Sequence, residues 1–439
     1  MTYTAEDQNG LKALLEEAVA LMSADPKAAL AEGRWVKLIC GASYQDLPRV
    51  QALCLAYTLA GVDCIDMSAS EAVVTAAEEG VNAAMVLAEQ LLGRPLPRRP
   101  WLMVSVNDQD DLHFRKASFD PARCPTDCPR PCESICPTQA IPSLDKLMML
   151  AAGGEEGVAH QDRCYGCGRC LTVCPLGLII AKPYQVEAAE VLTSLAGRVD
   201  ALEIHTNLSS LSAVDGHDPF DDLCKRIQAP ASTLQAISVS FPFMGELGTT
   251  AFLQSRNGIF DRYFSGIEEQ KEEGVGGDEV SSTSSSSSGK SKLLHIWQTD
   301  GRPMSGDIGK GTTLSAVKFG EVMLRSRALD WASPRQGEQQ QHFLQLAGGT
   351  NAYTAEKLAA EGLLSPALVL GKMEGEGKEE SQWVHGLAFG GFARMEVDRV
   401  MTEWGLGSEA SLLEAPPQAL VAVVKAALGV VRPVKERIK

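Results

Sequence analysis

Twelve cysteines are present, and eight of them crowd between Cys124 and Cys174 in two runs. Thiolates are the ligands of iron–sulfur clusters, and a [4Fe–4S] cubane takes four. The second run, Cys164-x2-Cys167-x2-Cys170-x3-Cys174-Pro175, has the bacterial ferredoxin spacing, in which the fourth cysteine serves the other cluster of a pair. The first, Cys124-x3-Cys128-x3-Cys132-x3-Cys136-Pro137, has two wider gaps but the same Cys-x3-Cys-Pro ending. Three thiolates close in sequence wrap one side of a cubane, and the fourth must arrive from elsewhere. Exchange between the runs meets that need. It predicts one [4Fe–4S] cluster on Cys124, Cys128, Cys132 and Cys174, and another on Cys164, Cys167, Cys170 and Cys136. A zinc ribbon would instead use two Cys-x2-Cys pairs about 15–20 residues apart, and disulfide frameworks belong to small secreted chains.

The two runs predict unlike clusters. Backbone N–H groups that donate to cluster sulfurs stabilise the reduced state and so raise the potential. Pro125, Pro129 and Pro131 remove three such donors from the first run. The second run loses none, and Gly166 and Gly168 let its backbone close tightly. Arg130 and Arg169 place a positive charge in each run. The first cluster is expected to be lower in potential, looser and more labile, the property a redox sensor needs.

Around these runs the chain alternates short apolar strands with helical segments. Strands are expected at Val36–Cys40, Cys64–Met67, Trp101–Val106, Ala201–His205, Leu234–Phe241, Leu293–Trp297, Phe343–Leu346 and Val384–Phe389. Eight strand–helix units are the count of a (β/α)8 barrel, and runs apolar on both faces suit a buried parallel sheet. A doubly wound open sheet shares the alternation and is the alternative. The least defined units are the fifth, whose helix is diffuse between Gly245 and Phe264, and the second. A helical extension occupies 1–33, the barrel 34–108 and 183–405, and a two-cluster ferredoxin-like insertion 109–182, after the third strand. A Gly/Ser/acidic stretch at 268–291 has no apolar residues to bury and is expected to be a disordered surface loop, as is Glu374–Ser381. Residues 406–439 form a last helix, about Pro417–Val431, and a basic tail.

In such a barrel, chemistry sits at the C-terminal ends of the strands, and phosphate binds after the seventh and eighth. Glycines fall there: Gly348-Gly349-Thr350-Asn351 and Gly390-Gly391-Phe392-Ala393-Arg394. Gly348, Gly349, Gly390 and Gly391 are therefore the candidate seat for FMN or a phosphorylated substrate, though glycines also serve tight turns alone. A third cluster, Gly306–Thr313, follows the sixth strand without Walker spacing. Polar strand ends supply Lys37, Asp66, Asn107, His205, Asn207 and Asp300. Lys37 and Asp66 are expected to pair inside the barrel, and His205 to be a hydrogen-bonded core or loop residue rather than a base. Cys40, Cys54, Cys64 and Cys224 suit small apolar core positions.

The formal net charge is -16 and no basic stretch interrupts it, which disfavours nucleic acid and anionic membrane as partners. No apolar run approaches the ~18 residues of a membrane helix, so membrane insertion is not expected. The acidic, helix-forming N-terminus is unlike a secretory signal or an organelle transit peptide.

With these residues laid out, the chain resembles the cyanobacterial light-dependent period protein family (LdpA). The matching stretches are WVKLICGASYQDLP, AYTLAGVDCIDM, PWLMVSVND, HFRKASFDPARCPTDCPRPCESICPTQAI, RCYGCGRCLTVCP, QLAGGTNAYT and GLAFGGFAR, spanning about 34 to 400. The resemblance implies an iron–sulfur, redox-responsive protein that passes light-dependent redox state towards a circadian clock, with all eight clustered cysteines as ligands. The Ser-rich insert suggests a plastid-bearing eukaryotic source; the stroma would then be its location, and otherwise the cytoplasm. The leading expectation is a relay of redox state to a redox carrier (ferredoxin or quinone-linked) or a regulatory protein. The alternatives are a flavin-linked oxidoreductase whose clusters feed a barrel pocket, and a structural subunit of a photosynthetic or respiratory assembly.

Overall fold

The computed structural model describes residues 4–143, 162–183, 186–207, 217–264, 293–301, 310–326, 328–329, 342–365, 382–407 and 411–436. The two low-complexity stretches and Gly306–Gly309 lie outside them.

Eight parallel strands close into a barrel. They are β1 (Trp35–Gly41), β2 (Cys64–Ser68), β3 (Trp101–Asn107), β6 (Ala201–His205), β7 (Ala236–Pro242), β8 (Leu294–Asp300), β9 (His342–Ala347) and β10 (Gly386–Phe389). All eight expected strands are present, and pairing of β10 with β1 closes the ring, so the open-sheet alternative falls. β3 pairs directly with β6, from Met103 opposite Ala201 to Asn107 opposite His205. The segment between them therefore leaves the barrel and returns. Its stem is an antiparallel ladder of β4 (Arg115–Ser118) and β5 (Ile180–Pro183).

Side chains alternate across each strand. Ile65 and Met67 of β2 face the surrounding helices, as do Leu202 and Ile204 of β6. The inner face divides into layers. At the N-terminal end it is apolar: Trp35, Cys64, Trp101, Met103, Ala201, Ala236, Ile296 and Phe343 pack together, with Ala29 and Leu30 of the helix Pro26–Ala31. The Trp35 and Trp101 rings meet edge to face at 5.5 Å. Room for Trp35 comes from Gly386, where a Cβ would stand 2.4 Å from the indole. Above this layer the interior turns polar, which strand hydrophobicity alone did not announce.

The fifth-unit helix is continuous from Gly245 to Phe264, because Phe252, Leu253, Ile259, Phe260 and Phe264 supply a buried face. The last helix runs Pro417–Lys435, four residues further than expected. Contrary to the sequence reading, it is long and apolar enough to cross a membrane, with a mean hydropathy of 1.4 over its best window. Yet 56% of that window is buried inside the fold, against the helices Ala5–Leu21 and Gly391–Glu403. Its composition reflects packing within the domain. The basic tail holds a surprise too: Lys435 is fully buried, its ammonium 2.9 and 2.7 Å from the two oxygens of Asp63. Arg98 pairs with the same carboxylate.

Candidate metal centres

The excursion between β3 and β6 carries all eight clustered cysteines. Its two short helices, Pro131–Ile135 and Arg169–Val173, are related positions thirty-eight residues apart in the chain. Each follows a residue with left-handed backbone, Arg130 (φ 53°) and Gly168 (φ 72°). Each is followed by a Cys-Pro step whose cysteine accepts a hydrogen bond from the N–H four residues on. Ala140 donates to Cys136 Sγ at 3.2 Å, and Leu178 to Cys174 Sγ at 3.4 Å. A second left-handed residue, Gln139 (φ 52°) or Gly177 (φ 59°), makes that return possible. Glycine meets this need at no steric cost in the second run; the first meets it with side-chain-bearing residues.

The thiols gather round two hollows. One is lined by Cys136, Cys164, Cys167 and Cys170, with Tyr165, Gly166, Gly168 and Ile141. The other is lined by Cys124, Cys128, Cys132 and Cys174, with Phe119, Pro125, Pro131 and Ile179. Each set thus takes its fourth thiol from the other run. None of the chain's cysteines is in a disulfide.

The walls are apolar, and the polar groups that reach the sulfurs are donors, which suits electron-rich thiolate ligands. Ala117 N–H donates to Cys164 Sγ at 3.3 Å, and Arg130 Nη1 lies 3.7 Å from Cys124 Sγ. Burial disfavours the Cys174 thiolate, but N–H groups of Leu178, Leu176, Ile179 and Gly177 outweigh it and hold this thiol below its usual range. Burial and the thiols of Cys167, Cys164 and Cys136 push Cys170 up to about 12. A cation among these sulfurs would reverse that.

The hollow of Cys164, Cys167 and Cys170 is seated on the barrel. Arg394 lies over the Tyr165 ring at 4.3 Å and donates to the carbonyls of Cys40 (2.6 Å) and Ile39 (3.1 Å) at the end of β1. Gln45 N–H donates to Asp162 O at 2.8 Å, and Lys116 Nζ to Gln45 Oε1 at 2.9 Å.

The thiols settle what kind of protein this is when set beside known sequences. The LdpA Fe-S cluster-binding domain matches residues 124–185, and the Light dependent period A C-terminal domain matches 278–433. Light dependent period A of Synechococcus elongatus is 42% identical over 415 residues, covering 94% of each chain. The chain belongs to the light dependent period A family. Like the domain that gives the family its cluster-binding name, it is an iron–sulfur protein.

This chain thus combines a thiol-rich excursion with a barrel, and the barrel has its own polar interior. Lys37 is completely buried and paired with Glu203 (closest) and Asp66, at 3.8 Å. Burial pulls its ammonium down, but Glu203 and Asp66 overcome this and raise its pKa. Asp66 also accepts from Ser105 Oγ at 2.8 Å; burial outweighs Lys37 and raises it to about 6. The expected Lys37–Asp66 pair is present, but its principal partner, Glu203, was missed. The available signal was Glu203-x-His205, two polar residues on one face of a strand.

His205 Nε2 lies 3.3 Å from Glu203 Oε1, as a hydrogen-bonded rather than isolated residue. Asp300 meets His113, a residue the strand-end reading omitted because it lies beyond β3 in the excursion's approach. Asn107 donates to Gln109 O at 2.6 Å and Asn207 to Asp110 O at 3.0 Å, so both amides tie down this loop. Cys40, Cys54, Cys64 and Cys224 are buried core residues.

Gly348 and Gly349 follow β9 with φ of 66° and 102°. A Cβ on Gly349 would stand 2.9 Å from Thr312 O, and Thr312 Oγ1 donates to Gly349 O at 2.8 Å. Gly390 and Gly391 open the helix Gly391–Glu403 at the end of β10. Its Arg394, four residues on, is committed to Tyr165 and β1.

Proposed function

We propose that this chain holds two [4Fe–4S] clusters and relays cellular redox state to a protein partner. The ligand sets are Cys124, Cys128, Cys132 and Cys174, and Cys136, Cys164, Cys167 and Cys170. The observation that carries the reading is the crossing of one thiol from each run into the other's hollow. Bound there, such clusters supply one-electron transfer. Around the first set, Arg130 offers positive charge to Cys124, while the prolines withhold N–H donors. Around the second, Tyr165 and Ala117 join the sulfurs to the barrel, so the barrel rim is the surface through which their state reaches a partner. A redox carrier (ferredoxin or quinone-linked) or a regulatory protein fits that role. The name of the Synechococcus relative motivates a light-dependent signal, and a plastid stroma or cytoplasm would provide the reducing setting.

The test is iron and acid-labile sulfide in anaerobically purified protein. Wild type should carry about eight irons per chain. Cys174→Ser should unsettle the cluster on Cys124–Cys132 and leave that on Cys164–Cys170; Cys136→Ser should do the reverse. Loss of the near-sequence cluster in either variant would overturn the crossing.

A flavin-linked oxidoreductase is the second reading, favoured by the seating of the Cys164–Cys170 hollow against the barrel. FMN would sit at Gly348, Gly349, Gly390 and Gly391. Flavin bands beside the broad iron–sulfur absorption support it; their absence after reconstitution with FMN leaves these glycines as packing residues.

A further inference from the structure

Away from the thiols, two imidazoles and two carboxylates converge at the C-terminal mouth of the barrel. Asp111 and His113 lie on the loop after β3, His205 ends β6 and Asp300 ends β8. Donor atoms of Asp111, His113 and His205 all lie within 4.8 Å of one another. The two imidazole rings are 4.9 Å apart, and Asp300 Oδ2 is 3.3 Å from His113 Nε2.

These groups are held from behind. The backbone N–H of His113 donates to Asp111 Oδ1 at 2.8 Å, the oxygen that also meets the ring Nδ1 of His113 at 2.8 Å, and Ser43 Oγ donates to the His113 carbonyl at 3.0 Å. Glu203 stands against His205, and Phe114 meets its ring edge-on at 5.2 Å. Charge points the same way. Lys37 is taken up by Glu203 and Asp66, which leaves Asp111 and Asp300 opposite the imidazoles. The mouth also contains an unanswered polar group: Ser68, next after Asp66 on the inner face of β2, is fully buried with its hydroxyl unpartnered.

We propose that the barrel mouth binds one divalent transition-metal ion through His113, His205 and Asp111, with Asp300 as a further carboxylate. Two imidazoles with carboxylates suit a borderline cation of the zinc class rather than magnesium or calcium, which prefer oxygen alone. Zinc bonds of about 2.0–2.2 Å put tetrahedral donors roughly 3.4 Å apart, so the side chains draw in by on the order of 1 Å. Glu203 then serves as the outer carboxylate that orients His205. The site uses no cysteine, so it stands or falls independently of the cluster assignment.

The test loads anaerobic, cluster-containing protein with ZnCl2, desalts it, and measures zinc and iron together with the zinc K-edge X-ray absorption. The expected result is one zinc per chain with nitrogen and oxygen ligands and imidazole outer-shell scattering. His205→Gln and Asp300→Asn should each weaken retention at least about tenfold with iron unchanged. A wild type that retains well under one zinc, a sulfur-ligated zinc, or undiminished retention in both variants would overturn the proposal. Should a variant lose its iron through misfolding, the wild-type stoichiometry and edge still decide.

Discussion

Replacing Asp63 with Asn isolates two buried cations at the N-terminal face of the barrel. Lys435 and Asp63 are completely buried, and Arg98 is 6% exposed. Burial pulls the Lys435 ammonium down to about 8, against the attraction of Asp63. A lysine without a partner can shed its proton, which caps its share of the cost. Between pH 7 and a folded pKa near 8 that share is on the order of 1 kcal/mol. Arg98 has no such escape, because guanidinium stays charged. Breaking a buried pair costs about 3–5 kcal/mol, so Arg98 bears most of the loss. Lys435 also sets the pH dependence. Its folded pKa lies below the unfolded value of about 10.4, so the unfolded chain binds more protons between the two and stability rises with pH across that window. In Asp63→Asn the window opens lower, and by pH 9 both proteins hold a neutral lysine. The penalty should therefore shrink by on the order of 1 kcal/mol between pH 7 and pH 9. Urea unfolding followed by the fluorescence of buried Trp35 and Trp101, under anaerobic conditions, reads it as a midpoint shift of roughly 1–2 M at pH 7. A penalty below about 1 kcal/mol, or one equal at the two pH values, refutes the reasoning.

Three further outcomes are expected. Gln139→Gly should stabilise the thiol-rich excursion by about 0.5–1 kcal/mol, since an exposed glutamine is held in the left-handed region; slower iron loss in air would register it, and faster loss would contradict it. Gly386→Ala would press a methyl into Trp35 and should cost about 1–3 kcal/mol in thermal or urea unfolding; a neutral effect would mean that the layer is loosely packed. Pro129→Ala, by restoring an N–H, should raise the potential of the Cys124–Cys132 cluster, and Arg130→Leu should lower it. Potentiometric titration with EPR detection checks both, and two clusters of equal potential, indifferent to either change, would rule out the asymmetry.

The barrel was legible because the outward-facing residues of each strand are apolar, as with Ile65 and Met67 or Leu202 and Ile204, and most strands end in a polar or glycine turn. The crossing of Cys136 and Cys174 was legible because short Cys-x2-Cys and Cys-x3-Cys steps leave a cubane one ligand short. What escaped were pairings decided by closure in space. Glu203 looks like a surface residue until β1 and β6 face each other across the interior. His113 lies in an unpatterned approach to the excursion, and Lys435 looked like tail because its partner is 372 residues away. The last helix was legible as a helix, but its end at Lys435 was not, and its apolar composition serves packing between the first and last parts of the domain.

Under the ligand sets proposed above, the exchanged thiols also impose an order on biosynthesis. The first three cysteines leave the ribosome early, yet their set stays one ligand short until Cys174 emerges. The second set is complete at Cys170, four residues sooner. Neither hollow can finish as a separate local event, so a truncated or stalled chain ending before this point offers three-thiol sites at most. Such incomplete sites bind loosely and invite oxidation or the wrong metal. On that assignment both sites wait on the same few residues of chain, Cys170 to Cys174.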